Sequence, residues 1–157
     1  MSIEKVREYF KTLGREGDIL EFEVSSATVE LAAQALQVEG KRICKTLSFK
    51  SDEGAILVCA AGDARIDNKK FKSVFGLKAK MLSFEEALEY TGHAVGGVCP
   101  FGIERGDVRV YCDESLKRFQ TVFPACGSSN SAIELTSAEL FEFSKSEAWV
   151  DVCKLPG

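Results

Sequence analysis

The chain has 157 residues, 45% of them apolar and 28% charged, which gives enough length for one core and the composition of an ordinary globular protein. No apolar run approaches the roughly 20 residues of a membrane span. The N-terminal MSIEKVREYFKTLG is charged throughout and lacks the apolar stretch of a secretory signal, so a single cytoplasmic domain over residues 1–157, with no membrane partner, is expected. The net charge of −4 argues against nucleic acid by its sum, yet residues 41–80 hold ten Lys and Arg against four Asp and Glu, so a basic face toward phosphate stays open.

Residues 2–13 carry Ile3, Val6, Phe10 and Leu13 at helical spacing, and Gly14 and Gly17 end that helix. ILEFEVS (19–25) predicts a strand or extended entry. A second helix is expected over 28–37, with a Ser or Thr cap, Glu30 in its first turns and Gly40 as its stop. RICKTLSFK (42–50) and GAILVCAAG (54–62), joined by SDEG, predict a β-hairpin whose second strand, apolar on both faces, is central. Asp67 or Asn68 caps a short helix to Phe75, which Gly76 ends, and KAKML (78–82) predicts a short strand. Ser83 with Glu86 three residues on forms a capping-box pattern for a helix closed by Gly92. VRVYCD (108–113), TVFPACG (121–127), SAIELT (131–136) and WVDVC (149–153) predict strands, and Thr136 or Ser137 caps a helix over 138–145. The pattern gives an α+β fold: a mixed, strongly curved β-sheet or barrel of about seven strands with helices packed outside.

Six cysteines, Cys44, Cys59, Cys99, Cys112, Cys126 and Cys153, form no C-x-x-C pair and share the chain with one histidine. No zinc site of the usual kinds, no other metal or cofactor and no disulfide framework is expected; four of them sit in strand-like runs, as small buried apolar residues.

Three places carry chemistry. On the strand 42–50, Ile43, Leu47 and Phe49 alternate inward, and Lys45 alternates with them. A buried ammonium is costly unless it is paired or lines a polar cavity, so Lys45 either snorkels out along its stem or points into a pocket. The second place is TGHAVGGVCPFG (91–102), with four glycines, Pro100 and the chain's one histidine. Gly96 and Gly97 expose backbone N–H groups and allow close approach of a ligand, in the manner of an oxyanion hole. Cys99 as nucleophile with His93 as base is the side-chain alternative; His93 as a pocket-wall residue is the other reading. The third place is the turn Gly127, Ser128, Ser129 and Asn130, which suits a tight connection and also offers hydrogen bonds to a ligand.

Taken together, CKTLSFK, AAGDARIDNKKF, TGHAVGGVCPFG with its G-x-x-x-P element from Gly96 to Pro100, and CGSSNSAIELTSAEL resemble the YbaK/EbsC family. This family comprises free-standing relatives of the editing domain inserted in bacterial prolyl-tRNA synthetases. The matches run in order over about residues 27–153. The resemblance implies a trans-editing hydrolase that deacylates a mischarged aminoacyl-tRNA, with proline tRNA as the expected carrier and prolyl-tRNA synthetase as an expected partner. It implies that the Gly96 amide polarises the ester carbonyl and that Lys45 anchors the acceptor end. Substrate-binding roles fall to His93, Gly97, Cys99, Pro100 and the 127–130 turn, with His93 and Cys99 as wall residues that select the amino acid. Lys69, Lys70, Lys72, Lys78 and Lys80 are the expected tRNA contacts. A non-catalytic tRNA- or nucleotide-binding module of the same fold is the alternative.

Overall fold

The computed structural model describes residues 2–156. Its centre is the antiparallel hairpin of β2 (Ile43–Lys50) and β3 (Ala55–Ala61), paired from Cys44–Ala61 to Lys50–Ala55. β1 (Leu20–Glu21) and α1 (Ser2–Thr12) precede it, with α2 (Val29–Leu36) between. Then come β4 (Arg65–Ile66), α3 (Asn68–Phe75), α4 (Phe84–Thr91), β5 (Val108–Asp113), β6 (Thr121–Pro124), β7 (Ser131–Ala132), β8 (Leu135–Thr136), α5 (Ser137–Phe143), β9 (Trp149–Val150) and β10 (Cys153–Lys154). Six strands make one curled mixed sheet in the order β8-β6-β2-β3-β5-β9, and two ribbons, β1-β7 and β10-β4, flank it. The fold is α+β, as expected.

β3 is buried at every position because it lies between β2 and β5 with both faces covered. On one face, Phe49, Phe71, Phe75 and Tyr111 form a run of ring contacts with centroids 4.7 to 4.9 Å apart, which seats α3 across the sheet. Elsewhere in the core Phe10 of α1 meets Phe101 and Phe143, and its ring is fully buried, an interaction set worth about 1.5–3 kcal/mol for the side chain alone. The capping signals are used as read: Thr28 accepts from Leu31 N–H, Asp67 from Lys69 and Lys70 N–H, and reciprocal capping boxes join Ser83 to Glu86 and Thr136 to Glu139.

Four expectations are corrected. The helix α2 stops at Gln37, which takes the left-handed conformation (φ 57°), and not at Gly40. Residues 78–82 form no strand beyond a single bridge of Met81 to Phe49, with Lys50 N–H donating to Lys80 O and Leu82 N–H to Ser48 O. SAIELT divides into β7 and β8, because the chain leaves the ribbon with β1 to join β6. WVDVC divides likewise: β9 pairs with β5, β10 pairs with β4, and the buried Asp113 carboxylate accepts from Val152 N–H at 2.9 Å in the break between them.

Candidate active site

β2 has a complete ladder to β3 but an incomplete one on its other side. There β6 reaches only Ile43 and Cys44, and the 80–82 segment reaches only Ser48 and Lys50. Main-chain groups alternate in direction along an antiparallel strand. Since Ser48 O and Lys50 N bond outward on that side, Thr46 directs its own N–H and C=O into the gap between the two neighbours. A cavity of about 280 Å³ enters the sheet there. Its wall is mostly apolar, from Val29, Ala32, Ile43, Leu47, Leu82, Ala87, Val98 and Phe123, and it is also lined by Lys45 and Gly96. Two of the singled-out residues, distant in sequence, therefore share one cavity.

Lys45 is half-buried. It lines this cavity, and its ammonium donates to the carbonyls of Gly62, at 3.3 Å, and Ala64 in the turn between β3 and β4. The ammonium thus also borders a second, polar recess with Glu30, Asp63, Arg65 and Lys154. Burial lowers the Lys45 pKa below its ordinary value, against the opposing pull of nearby Asp63, which is itself paired with the Arg118 guanidinium. The two readings of the sequence meet in this geometry: the lysine spans a pocket wall and snorkels at the same time.

In the loop after α4, Gly97 N–H closes a turn on Ala94 O at 2.9 Å, whereas among the described residues Gly96 N–H has no main-chain acceptor. Gly96 has φ +100°, a conformation that side chains disfavour. Gly97 lies against the backbone of the 127–130 turn so closely that a Cβ there would sit 2.8 Å from Ser128 N and Cα. That turn stands behind the glycine pair and does not line the cavity. Its polar groups hold the chain that leads into α2: Asn130 Nδ2 donates to Phe22 O, Ser26 N–H donates to Ser129 O, and Ser128 Oγ bonds Asn130 and Ser131. Pro100 borders a different recess, against α1.

His93 and Cys99 are not on the cavity wall. Both are fully buried behind the loop. The His93 ring is 2.8 Å from the Phe101 carbonyl through Nε2; a carbonyl only accepts, so Nε2 carries the hydrogen and Nδ1 accepts from Ser2 Oγ. Cys99 Sγ lies 3.5 Å from that same Nε2. The pair forms, but the nitrogen facing sulfur already bears a proton, and burial pushes the thiol up to about 12. Burial also lowers the His93 pKa. The arrangement does not set a free base against a thiolate, and the ring ties α1 to the loop through Ser2 and Phe101. All six cysteines are free and buried.

Of the expected basic contacts, Lys70 is spent on Asp151 and the Cys153 carbonyl, tying α3 to the C-terminal strand. Lys69, Lys72, Lys78 and Lys80 are exposed and, among the described residues, form no ion pair. Lys80 leads directly into Met81 on the cavity rim. Sequence reasoning missed the α2 contribution (Thr28, Val29, Ala32) and the rim residues Met81, Phe84 and Val95; the first carried a legible helix signal, but nothing in the periodicity said which strand edge it would face.

Comparison with known proteins adds four findings. A family model of the aminoacyl-tRNA editing domain matches residues 23–143. The uncharacterized protein YwhH of Bacillus subtilis (strain 168) is 61% identical over 155 residues, 98% of each chain, and the proline--tRNA ligase of Thermosipho melanesiensis is 35% identical over 91 residues, 57% of this chain and 16% of the ligase. A solved structure described as a candidate trans-editing enzyme for prolyl tRNA synthetase superposes with a TM-score of 0.86 at 30% identity, over 99% of this chain and 98% of that one.

Proposed function

Because the chain belongs to the aminoacyl-tRNA editing domain family, we propose that it is a free-standing deacylase, acting as one editing domain that hydrolyses the ester joining a wrong amino acid to tRNA. The likeness to a segment of proline--tRNA ligase favours proline tRNA as the carrier and prolyl-tRNA synthetase as the enzyme it serves. The observation that carries the reading is the shared cavity of Lys45 and Gly96.

In this mechanism the ester carbonyl lies at Gly96, whose N–H the turn leaves unpaired. A fixed N–H aimed at the developing oxyanion lowers the barrier without reorganisation. Water attacks the carbonyl carbon and the carbon–oxygen bond to the ribose breaks; one water proton goes to the leaving ribose oxygen, the other to solvent, and the amino acid leaves as its carboxylate. No side-chain base is needed from His93 or Cys99. The half-buried Lys45 ammonium, held by the Gly62 and Ala64 carbonyls, anchors the anionic acceptor end. The amino acid is taken by the mostly apolar wall, which favours a small apolar side chain over a polar one.

The test is a panel of mischarged tRNAs. Wild type is expected to deacylate one class, and Lys45→Ala and Lys45→Met to lose about 10- to 100-fold in kcat/KM, the worth of one charge-assisted contact. Undiminished activity in both variants would sink the anchor. Salt-sensitive binding of tRNA with no turnover of any substrate would instead favour the non-catalytic module.

A second expectation separates this mechanism from a thiol hydrolase. Cys99→Ala should retain deacylation within about threefold of wild type and lose about 1 kcal/mol of stability, the cost of a small buried truncation. Complete loss of turnover in a folded Cys99→Ala protein would restore the thiol as the nucleophile.

A further inference from the structure

The cavity mouth carries Met81, Phe84 and Val95, which are 57%, 75% and 51% exposed. Single exposed apolar residues are ordinary, but three around one opening are not scattered. Phe84 is the most exposed of them. It is the first residue of α4, directly after the N-cap Ser83 and inside the Ser83–Glu86 capping box, so its backbone is fixed while its ring is left outside. Leu82 and Ala87 on either side of it are buried and seat the helix. Among the described residues the Phe84 ring joins no aromatic pair and no part of the core, so it has no structural task.

We propose that Phe84 is a stacking platform for the unpaired terminal base of the tRNA acceptor end. This rests on the deacylase reading, and it adds the subsite that reads the nucleoside side of the ester. If the acyl group lies at Gly96, the ribose bonded to it lies next to it, and the base must leave through the mouth. There a rigid aromatic ring meets it. Aromatic side chains bind single-stranded bases by their faces, whatever the base. Lys78 and Lys80, four and two residues before Leu82 and without an ion pair among the described residues, supply the charge that a phosphodiester needs and an apolar peptide does not. Of the acids next to the ring, Glu86 is held by Ser83 N–H and Lys50, and exposed Glu85 opposes the lysines, so the choice of occupant rests on Lys78 and Lys80 together with the ester chemistry at Gly96.

Two measurements decide it. The first is deacylation kinetics of the mischarged tRNA by Phe84→Ala, Phe84→Leu and Phe84→Tyr. The second is the fluorescence of uncharged tRNA carrying 2-aminopurine as its 3′-terminal base, titrated with each protein. Stacking predicts a signal change with wild type and Phe84→Tyr that is lost in Phe84→Ala and Phe84→Leu, together with a rise of about tenfold in KM for those two. An unchanged KM and signal in Phe84→Ala overturns the platform, and so does full rescue by Phe84→Leu, which would mean apolar contact without stacking. If wild type deacylates nothing, the deacylase reading falls by itself. The fluorescence then still decides: a signal lost in Phe84→Ala upholds base stacking, and no signal with wild type removes it.

Discussion

Gly97→Ala is expected to destabilise the protein by about 3 kcal/mol, the upper range for forced overpacking, and to lower its melting temperature by roughly 10 °C. The reason is contact between backbones. A Cβ at position 97 would sit 2.8 Å from Ser128 N and Cα and 2.9 Å from Gly127 C. None of these is the free end of a side chain that could swing away. The 127–130 turn cannot retreat either, because Asn130 and Ser129 hold the 22–26 segment and Gly127 abuts Ser2. Thermal denaturation followed by circular dichroism measures the loss, and a midpoint within 2 °C of wild type by that measurement would show that the two loops are not in the contact described.

Gly96→Ala should behave in the opposite way. Its Cβ would meet Ala27 Cβ at 3.4 Å and Ser129 Cβ at 3.7 Å, close but tolerable. The strain comes from φ +100°, and relieving it rotates the amide that the mechanism depends on. The expected result is a folded protein, less stable by about 1–2 kcal/mol, whose single-turnover deacylation is slower by about 100-fold, as when an oxyanion donor is removed. The same substitution at adjacent positions thus separates stability from rate. Equal turnover by Gly96→Ala and wild type would move the carbonyl-polarising group elsewhere.

Much of this architecture is legible in the sequence because the signals are local. The capping boxes at Ser83 and Thr136 depend on residues three apart, and the β2–β3 hairpin depends on two apolar runs and a short turn. What misleads is local too. The run 78–82 alternates like a strand, yet it makes a single bridge, Met81 to Phe49, and the β2 edge is interrupted where the cavity enters. SAIELT and WVDVC each look continuous, but each serves two sheets, and the switch is set by partners far away in the chain.

At the site, the same division holds. Gly96 and Lys45 stand out from the sequence by backbone freedom and by an ammonium on an apolar face. The burial of His93 does not. It requires α1 to fold back so that Ser2 meets a ring 91 residues away, a contact with no periodicity to announce it. Lys70 counts as a basic residue in the sequence, and only the docking of the C-terminal strand reveals that its charge is already taken.

In the proposed mechanism the reactive donor is the main-chain N–H of Gly96, and that placement has a consequence for how this protein tolerates change. A side-chain catalyst can be erased by any substitution of one residue and restored only by the same residue. A main-chain donor is present whatever side chains surround it, provided the loop keeps its path. Replacements along the cavity wall are then free to retune which acyl group fits, while the chemistry persists. The fragile points are few, and they are glycines, so a search for acids, bases and nucleophiles would pass over them.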